Sequence, residues 1–332
     1  MSEREIILEA LRVSKHFPAP CHDDPQRKLM AVNEVSLRAY KGETLGIVGE
    51  SGCGKSTLVK SLVGLQPVSG GCFNFKGQNL CRLKGEDLRQ SRRHIQMVFQ
   101  DPMSAFNPRM TVEEIICEPL INFGLLKKRD RRVKAGELLN LVELPASYAD
   151  RKPHSMSGGQ RQRVGIARAL ALEPEIIVCD EATSALDVSV QKKIIELLIK
   201  LQRERDLTML FICHDLALVQ SLCHQVAVMY LGHIVEVVGN GRIQEARHPY
   251  TRALLNSIFP VKRAKDFVIK GLSGEVPSPL DAPSGCPFQD RCDYADGLCR
   301  SVKPELMEIA PGHQVACHSL HDFEPDSASR AA

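Results

Sequence analysis

The run Gly49-Glu50-Ser51-Gly52-Cys53-Gly54-Lys55-Ser56-Thr57 constrains this chain more than any other feature. It fits G-x-x-x-x-G-K-[ST], a loop whose backbone N–H groups turn inward around phosphate oxygens. Gly49, Gly52 and Gly54 give the backbone the freedom such a turn needs. The preceding Thr44-Leu45-Gly46-Ile47-Val48 is an apolar run that predicts a buried strand, and Ser56 to Leu65 predicts a helix stopped by Pro67 and Gly70-Gly71. The positive N-terminal end of that helix adds to the attraction for an anion. Lys55 then reaches the β- and γ-phosphates, the Ser56 hydroxyl ligates Mg²⁺, and Thr57 completes the nucleotide-binding set.

The composition narrows the classes. The chain has 332 residues, 43% apolar and 25% charged, as expected of a soluble globular protein of about two domains. A net charge of +3 gives no support to a nucleic-acid partner. The densest basic run, Lys127 to Lys134, reads as a solvated helix face. No uncharged apolar stretch approaches the ~20 residues that span a bilayer, and the acidic N-terminus lacks a signal core. The expected location is cytoplasmic, with any membrane role exercised through separate subunits.

Strands are expected at Ile7–Val13, Ala31–Arg38, His94–Phe99, Ile176–Cys179 and Thr208–Ile212. Helical spacing marks Val112, Ile115, Ile116 and Leu120, and again Ile194, Leu197, Leu198 and Leu201. Strands alternating with helices predict an α/β fold with a mainly parallel sheet. Gln225–Tyr230 and His233–Val238 read as a hairpin about Leu231-Gly232. After Pro260 prolines crowd a segment of little periodicity, read as a small irregular appendage. The expected division is 1–257 for the nucleotide-binding unit, with a helical region at about 101–168, and 258–332 for the extension.

Two further groups carry chemistry. Glu175-Ile176-Ile177-Val178-Cys179-Asp180-Glu181 is an apolar strand ending in two carboxylates. Asp180 would hold Mg²⁺ and Glu181 would polarise the attacking water. Met156-Ser157-Gly158-Gly159-Gln160 opens a second helix, capped by Ser157, whose end is a second phosphate site. Lys55 already has its own nucleotide, so this helix end is more useful to another one.

Together these residues resemble the ATP-binding subunits of ABC transporters, over about residues 5–255. Ser157-Gly158-Gly159-Gln160-Arg161 resembles the family signature, and Ser184-Ala185-Leu186-Asp187 its dimer-interface loop. Gln100 matches the glutamine loop, a further Mg²⁺ and γ-phosphate contact, and His214 the switch histidine; Phe17 takes the place of the aromatic that stacks on adenine. The resemblance implies the P-loop ABC ATPase fold with an antiparallel β subdomain and a helical subdomain. It also implies two chains packed head to tail around ATP. Lys55, Gln100, Glu181 and His214 act on one side, and Ser157, Gly159 and Gln160 of the other chain complete the pocket. Met156, Ala182 and Cys213 depart from the usual leucine, proline and serine, and none is a reacting group.

His248-Pro249-Tyr250-Thr251, Leu272-Ser273-Gly274-Glu275-Val276-Pro277-Ser278-Pro279, Gly285-Cys286-Pro287-Phe288 and Arg291-Cys292 resemble the C-terminal extension of the oligopeptide/dipeptide importer subfamily, and its F-type ATPase subunit in particular. The implied partners are a homologous D-type subunit or a second identical chain, two integral membrane permeases, and an extracytoplasmic solute-binding protein acting indirectly. The implied place is the cytoplasmic face of the inner membrane. Nickel or another small solute, or a soluble ABC ATPase working on nucleic acid, are the alternative readings. Cys286, Cys292, Cys299 and Cys317, spaced C-x5-C-x6-C-x17-C, could hold a [4Fe–4S] cluster or Zn²⁺. The subfamily resemblance favours the cluster.

Overall fold

Apolar runs too short for helices become the strands of a mixed sheet. The computed structural model describes residues 4–20, 26–184, 186–257, 274 and 276–320. Its strands are β1 (Ile6–Pro18), β2 (Lys28–Tyr40), β3 (Thr44–Val48), β4 (Gly70–Phe75), β5 (Gln78–Asn79) and β6 (Ile95–Val98). They continue as β7 (Ile176–Asp180), β8 (Thr208–Cys213), β9 (Gln225–Tyr230), β10 (His233–Gly239), β11 (Met307–Ala310) and β12 (His313–Val315). The helices are α1 (Lys55–Leu62), α2 (Gly85–His94), α3 (Pro102–Ala105), α4 (Val112–Asn122) and α5 (Arg131–Leu141). After them come α6 (Gly158–Leu170), α7 (Val188–Arg205), α8 (Leu216–Leu222), α9 (Pro249–Asn256) and α10 (Gly297–Ser301).

Among the described residues the main sheet has the order β11-β12-β10-β9-β3-β8-β7-β6. The neighbours from β9 through β3, β8 and β7 to β6 run parallel, and the remaining pairs are antiparallel. A separate antiparallel sheet, β2-β1-β4-β5, lies on one face. The central strands are covered on both faces, so they read as continuous apolar runs. Successive residues still alternate. Leu45, Ile47, Ile176, Val178, Leu210 and Ile212 join the core beneath β1, β2 and α1. Val48, Ile177, Cys179, Met209 and Phe211 join the core formed with α4 to α8.

The helical region forms as its spacing predicts. Val112, Ile115, Ile116 and Leu120 of α4 are buried, and so are Ile194, Leu197, Leu198 and Leu201 of α7. α4 starts at a capping box in which the Thr111 hydroxyl accepts from the Glu114 N–H and the Glu114 carboxylate accepts from the Thr111 N–H. Gly70-Gly71 differs from expectation: it opens β4 rather than closing α1. Gly71 has φ +71°, and a Cβ there would lie 2.2 Å from the Arg12 carbonyl oxygen.

The C-terminal segment differs more. The part expected to be an irregular appendage adds β12 to the edge strand β10, pairing Glu236 with Val315 and Val237 with Gln314, and β11 follows. Cys286, Phe288 and Cys299 enter the core under the sheet. These strands are three and four residues long, too short to show a period; β12 forms by pairing with β10, and β11 by pairing with β12. No described helix is long and apolar enough to cross a membrane. Of the stretches read for the extension, Leu272, Ser273 and Glu275 lie outside the described residues.

Candidate nucleotide site

Because β3, β6, β7 and β8 are parallel, their carboxyl ends share one edge of the sheet. Ligands of open α/β sheets bind outside that edge. The phosphate loop follows Val48 of β3, and Gln100 lies two residues past Val98 of β6. Asp180 ends β7 with Glu181 next, and His214 follows Cys213 of β8. Residues far apart in sequence thus arrive at one place by strand direction alone.

The loop's shape is enforced by its neighbours. Gly54 has φ +106°, and a Cβ there would lie 2.0 Å from the Ala31 carbonyl oxygen; at Gly49 it would lie 2.1 Å from that of Met229. Gly52 has φ +80° with open space beside it. Lys55 is buried, and its ammonium donates to the carbonyls of Gly49 (2.8 Å) and Glu50 (2.9 Å). Those bonds compensate the burial of its charge. The β9–β10 turn closes on the loop as the Gly232 N–H donates to the Cys53 carbonyl at 2.9 Å.

Beside the loop, the Ser56 hydroxyl donates to Asp180 Oδ1 at 2.8 Å. A hydroxyl and a buried carboxylate side by side are a hard-oxygen donor set that fits Mg²⁺. Gln100 Nε2 donates to Glu181 Oε2 at 3.0 Å, and His214 Nδ1 lies 4.0 Å from Glu181 Oε1. Glu181 itself has φ +46°, a left-handed conformation that a residue with a Cβ adopts at a cost. Its N–H donates to Ile212, and its carbonyl accepts from the N–H and hydroxyl of Ser184. That backbone twist ends the strand and turns the carboxylate toward Gln100 and His214.

Ser157, Gly159, Gln160 and Phe17 make no hydrogen bond to the gathered groups among the described residues. Ser157 is exposed and caps α6 in a box with Gln160, at 3.3 and 3.0 Å. Gly159 packs on α7, where a Cβ would lie 2.4 Å from Val190 Cγ1. Among the described residues no hydrogen bond joins Ser157, Gly159 or Gln160 to the phosphate loop. Phe17 is half-buried near the end of β1, opposite Leu29 of β2, with the Lys15 ammonium 4.9 Å from its ring centroid. β2 also supplies the Ala31 carbonyl beside Gly54.

The sequence matches the family described as ABC transporter over residues 32–184, and that described as oligopeptide/dipeptide transporter, C-terminal region, over residues 240–299. The oligopeptide transport ATP-binding protein AppF of Bacillus subtilis is 48% identical over 96% of this chain and 98% of its own length. The chain belongs to the ABC transporter family. Salmonella typhimurium OppF, also named an oligopeptide transport ATP-binding protein, is 43% identical over 96% of this chain and 97% of its own length. The dimeric ATP-binding cassette MJ0796, solved with ADP and Pi in a post-hydrolysis state, superposes with a TM-score of 0.63. It is 31% identical, over 70% of this chain and 98% of that cassette. The chain is therefore an ABC ATPase, whose general requirements are ATP and Mg²⁺.

The C-terminal cysteines depart from expectation. Among the described residues no group of three or more His, Cys, Asp or Glu side chains is placed to hold a metal ion. Cys286, Cys299 and Cys317 are buried and Cys292 is half-buried. Burial pushes the Cys286 thiol up to about 12 and that of Cys317 to about 11. Among the described residues nothing supports the [4Fe–4S] or Zn²⁺ site that the spacing suggested.

Sequence reasoning also missed residues that touch the loop. Tyr250 and Arg291 were noticed only as parts of a subfamily resemblance. Tyr250 is fully buried, and its hydroxyl accepts from the Glu50 N–H at 2.9 Å. Arg291 pairs with the Glu50 carboxylate. A tyrosine and an arginine some 200 and 241 residues downstream leave no local signal of that contact.

Proposed function

We propose that this ABC ATPase powers the import of di- and oligopeptides through two separate membrane permeases, to which an extracytoplasmic binding protein delivers the solute. The match to the oligopeptide/dipeptide C-terminal region and the names of the relatives support that cargo. The place of work is the cytoplasmic face of the membrane. One observation carries the mechanism: Lys55, Ser56, Gln100, Asp180, Glu181 and His214 gather at one sheet edge, while the capped end of α6 does not join them.

In this reading Gly49, Gly52, Gly54, Lys55, Ser56 and Thr57 enclose the phosphates and Phe17 lies against adenine. Ser56, Asp180 and Gln100 would hold Mg²⁺, which when bound supplies neutralisation of the terminal phosphate oxygens. Glu181 accepts the proton of the attacking water. Gln100 and His214, both within reach of Glu181, orient that water and the γ-phosphate. Ser157, Gly159 and Gln160 serve the nucleotide of a second ATPase chain, a homologous D-type subunit or an identical copy, in a head-to-tail pair. ATP closes the pair because the shared phosphate contacts exist only in the closed state. Residues 101–168 pass the motion to the permeases. Residues 1–257 form the motor, and 258–332 the extension. No role for nucleic acid enters. The finer reading of the four cysteines as ligands of an iron–sulfur cluster or zinc has only their spacing and the subfamily resemblance in its support. A brown, iron-bearing protein would carry it, and a colourless, metal-free one would remove it.

Ser157→Asp tests the pairing. Aspartate caps a helix as well as serine does, so folding and ATP binding should persist. Its carboxylate would face the partner's γ-phosphate, and steady-state hydrolysis by the assembled pair should fall about 100-fold or more. Full hydrolysis by that variant would contradict a shared site.

A further inference from the structure

Glu50 is the second residue of the phosphate loop, and all of its polar groups are engaged. Its carbonyl accepts from Lys55, its N–H donates to the Tyr250 hydroxyl, and its carboxylate takes both arms of the Arg291 guanidinium, at 2.7 and 3.2 Å. The Arg291 side chain is only 5% exposed. Its guanidinium lies 5.8 Å from the Tyr230 ring, which packs in turn on Tyr250 and Phe288. A two-armed guanidinium–carboxylate pair fixes orientation as well as distance.

Taking the Gly49–Thr57 loop as the nucleotide site, we propose that Arg291 is a positioning residue for ATP: it holds the phosphate loop in its anion-accepting shape through Glu50 and neutralises the one carboxylate within that loop. Both effects act before ATP arrives. A loop held in its bound shape loses less entropy on binding. A carboxylate in the loop would repel a triphosphate, and the guanidinium cancels that repulsion. The C-terminal segment is then a working part of the nucleotide site.

The test is Mg·ATP kinetics on the purified full-length chain with its partner subunits. Arg291→Ala should raise the KM for ATP about tenfold and leave kcat at saturation within about twofold. Arg291→Lys keeps the charge but loses the fork, and should raise KM about threefold. Adding Glu50→Gln to Arg291→Ala should recover the part of the loss that is due to the repelling charge, about threefold, and leave the part due to the lost fork. A merely structural role would lower the melting temperature and give no such recovery. Should Arg291→Ala not fold, Arg291→Lys carries the test. An unchanged KM in the folded variant, or no recovery in the double variant, would overturn the proposal. Lys55→Ala guards the reading beneath it: if that variant still binds ATP, the assignment of the loop itself is wrong.

Discussion

Along the carboxyl edge of the parallel sheet, the functional groups come from four strand ends, and each end carries its own local pattern. In residues 276–320 the residues that matter carry a subfamily resemblance but no local sign of what they touch, which is set by what they pack against. Lys55 and Ser56 are legible because a phosphate loop needs glycine at fixed offsets, and Asp180 because an apolar run ends in acid. Phe288 belongs to a subfamily motif, yet nothing in that motif marks it as a core residue. It is 2% exposed, edge-on to Tyr230 at 5.2 Å and close to Tyr250 and His248. Chemistry requires local spacing, whereas packing requires only that a surface be covered.

That contrast can be tested on stability. An independent appendage would tolerate loss of an aromatic from its own residues without disturbing the motor. With Phe288 inside the main core, Phe288→Ala should destabilise the whole chain by about 3–5 kcal/mol in a single thermal transition. A separate, early transition that leaves the main melt unchanged would restore the appendage. The next effect is smaller and depends on pH. His248 caps α9 and is buried beside Glu236, and burial lowers it to about 4 from the ordinary 6.5. Between those values the unfolded chain binds a proton that the folded chain refuses, so stability falls as pH drops from 6.5 to 4, by up to about 3 kcal/mol. His248→Gln should flatten part of that slope in urea titrations across the window. His233, lowered to about 3 by burial, leaves a similar contribution behind. An unchanged slope would show that His248 does not titrate this way.

Much of the fold was readable. The helical spacing of Val112 to Leu120 and Ile194 to Leu201 predicts the buried faces found, and the Leu231-Gly232 turn predicts the β9–β10 hairpin. β11 and β12 were not readable, because β10, which pairs with β12, and β12, which pairs with β11, supply the order that three or four residues cannot encode. Asp180 and Glu181 were readable as carboxylates, but the left-handed backbone of Glu181, which turns the side chain toward Gln100, belongs to the folded strand end. The Cys286 to Cys317 spacing suggested a metal site, while among the described residues no group of three or more such side chains is placed to hold one. A cysteine pattern without a short C-x2-C pair carries weaker metal information than the phosphate loop carries about phosphate.

The most direct measurement is ATP binding and turnover by Glu181→Gln beside the native chain, each assembled with its partner subunits and Mg²⁺. Loss of the proton acceptor should leave nucleotide affinity near the native value and cut hydrolysis by about 100-fold or more. Native turnover in that variant would contradict the assignment of this strand end as the site where the γ-phosphate is attacked.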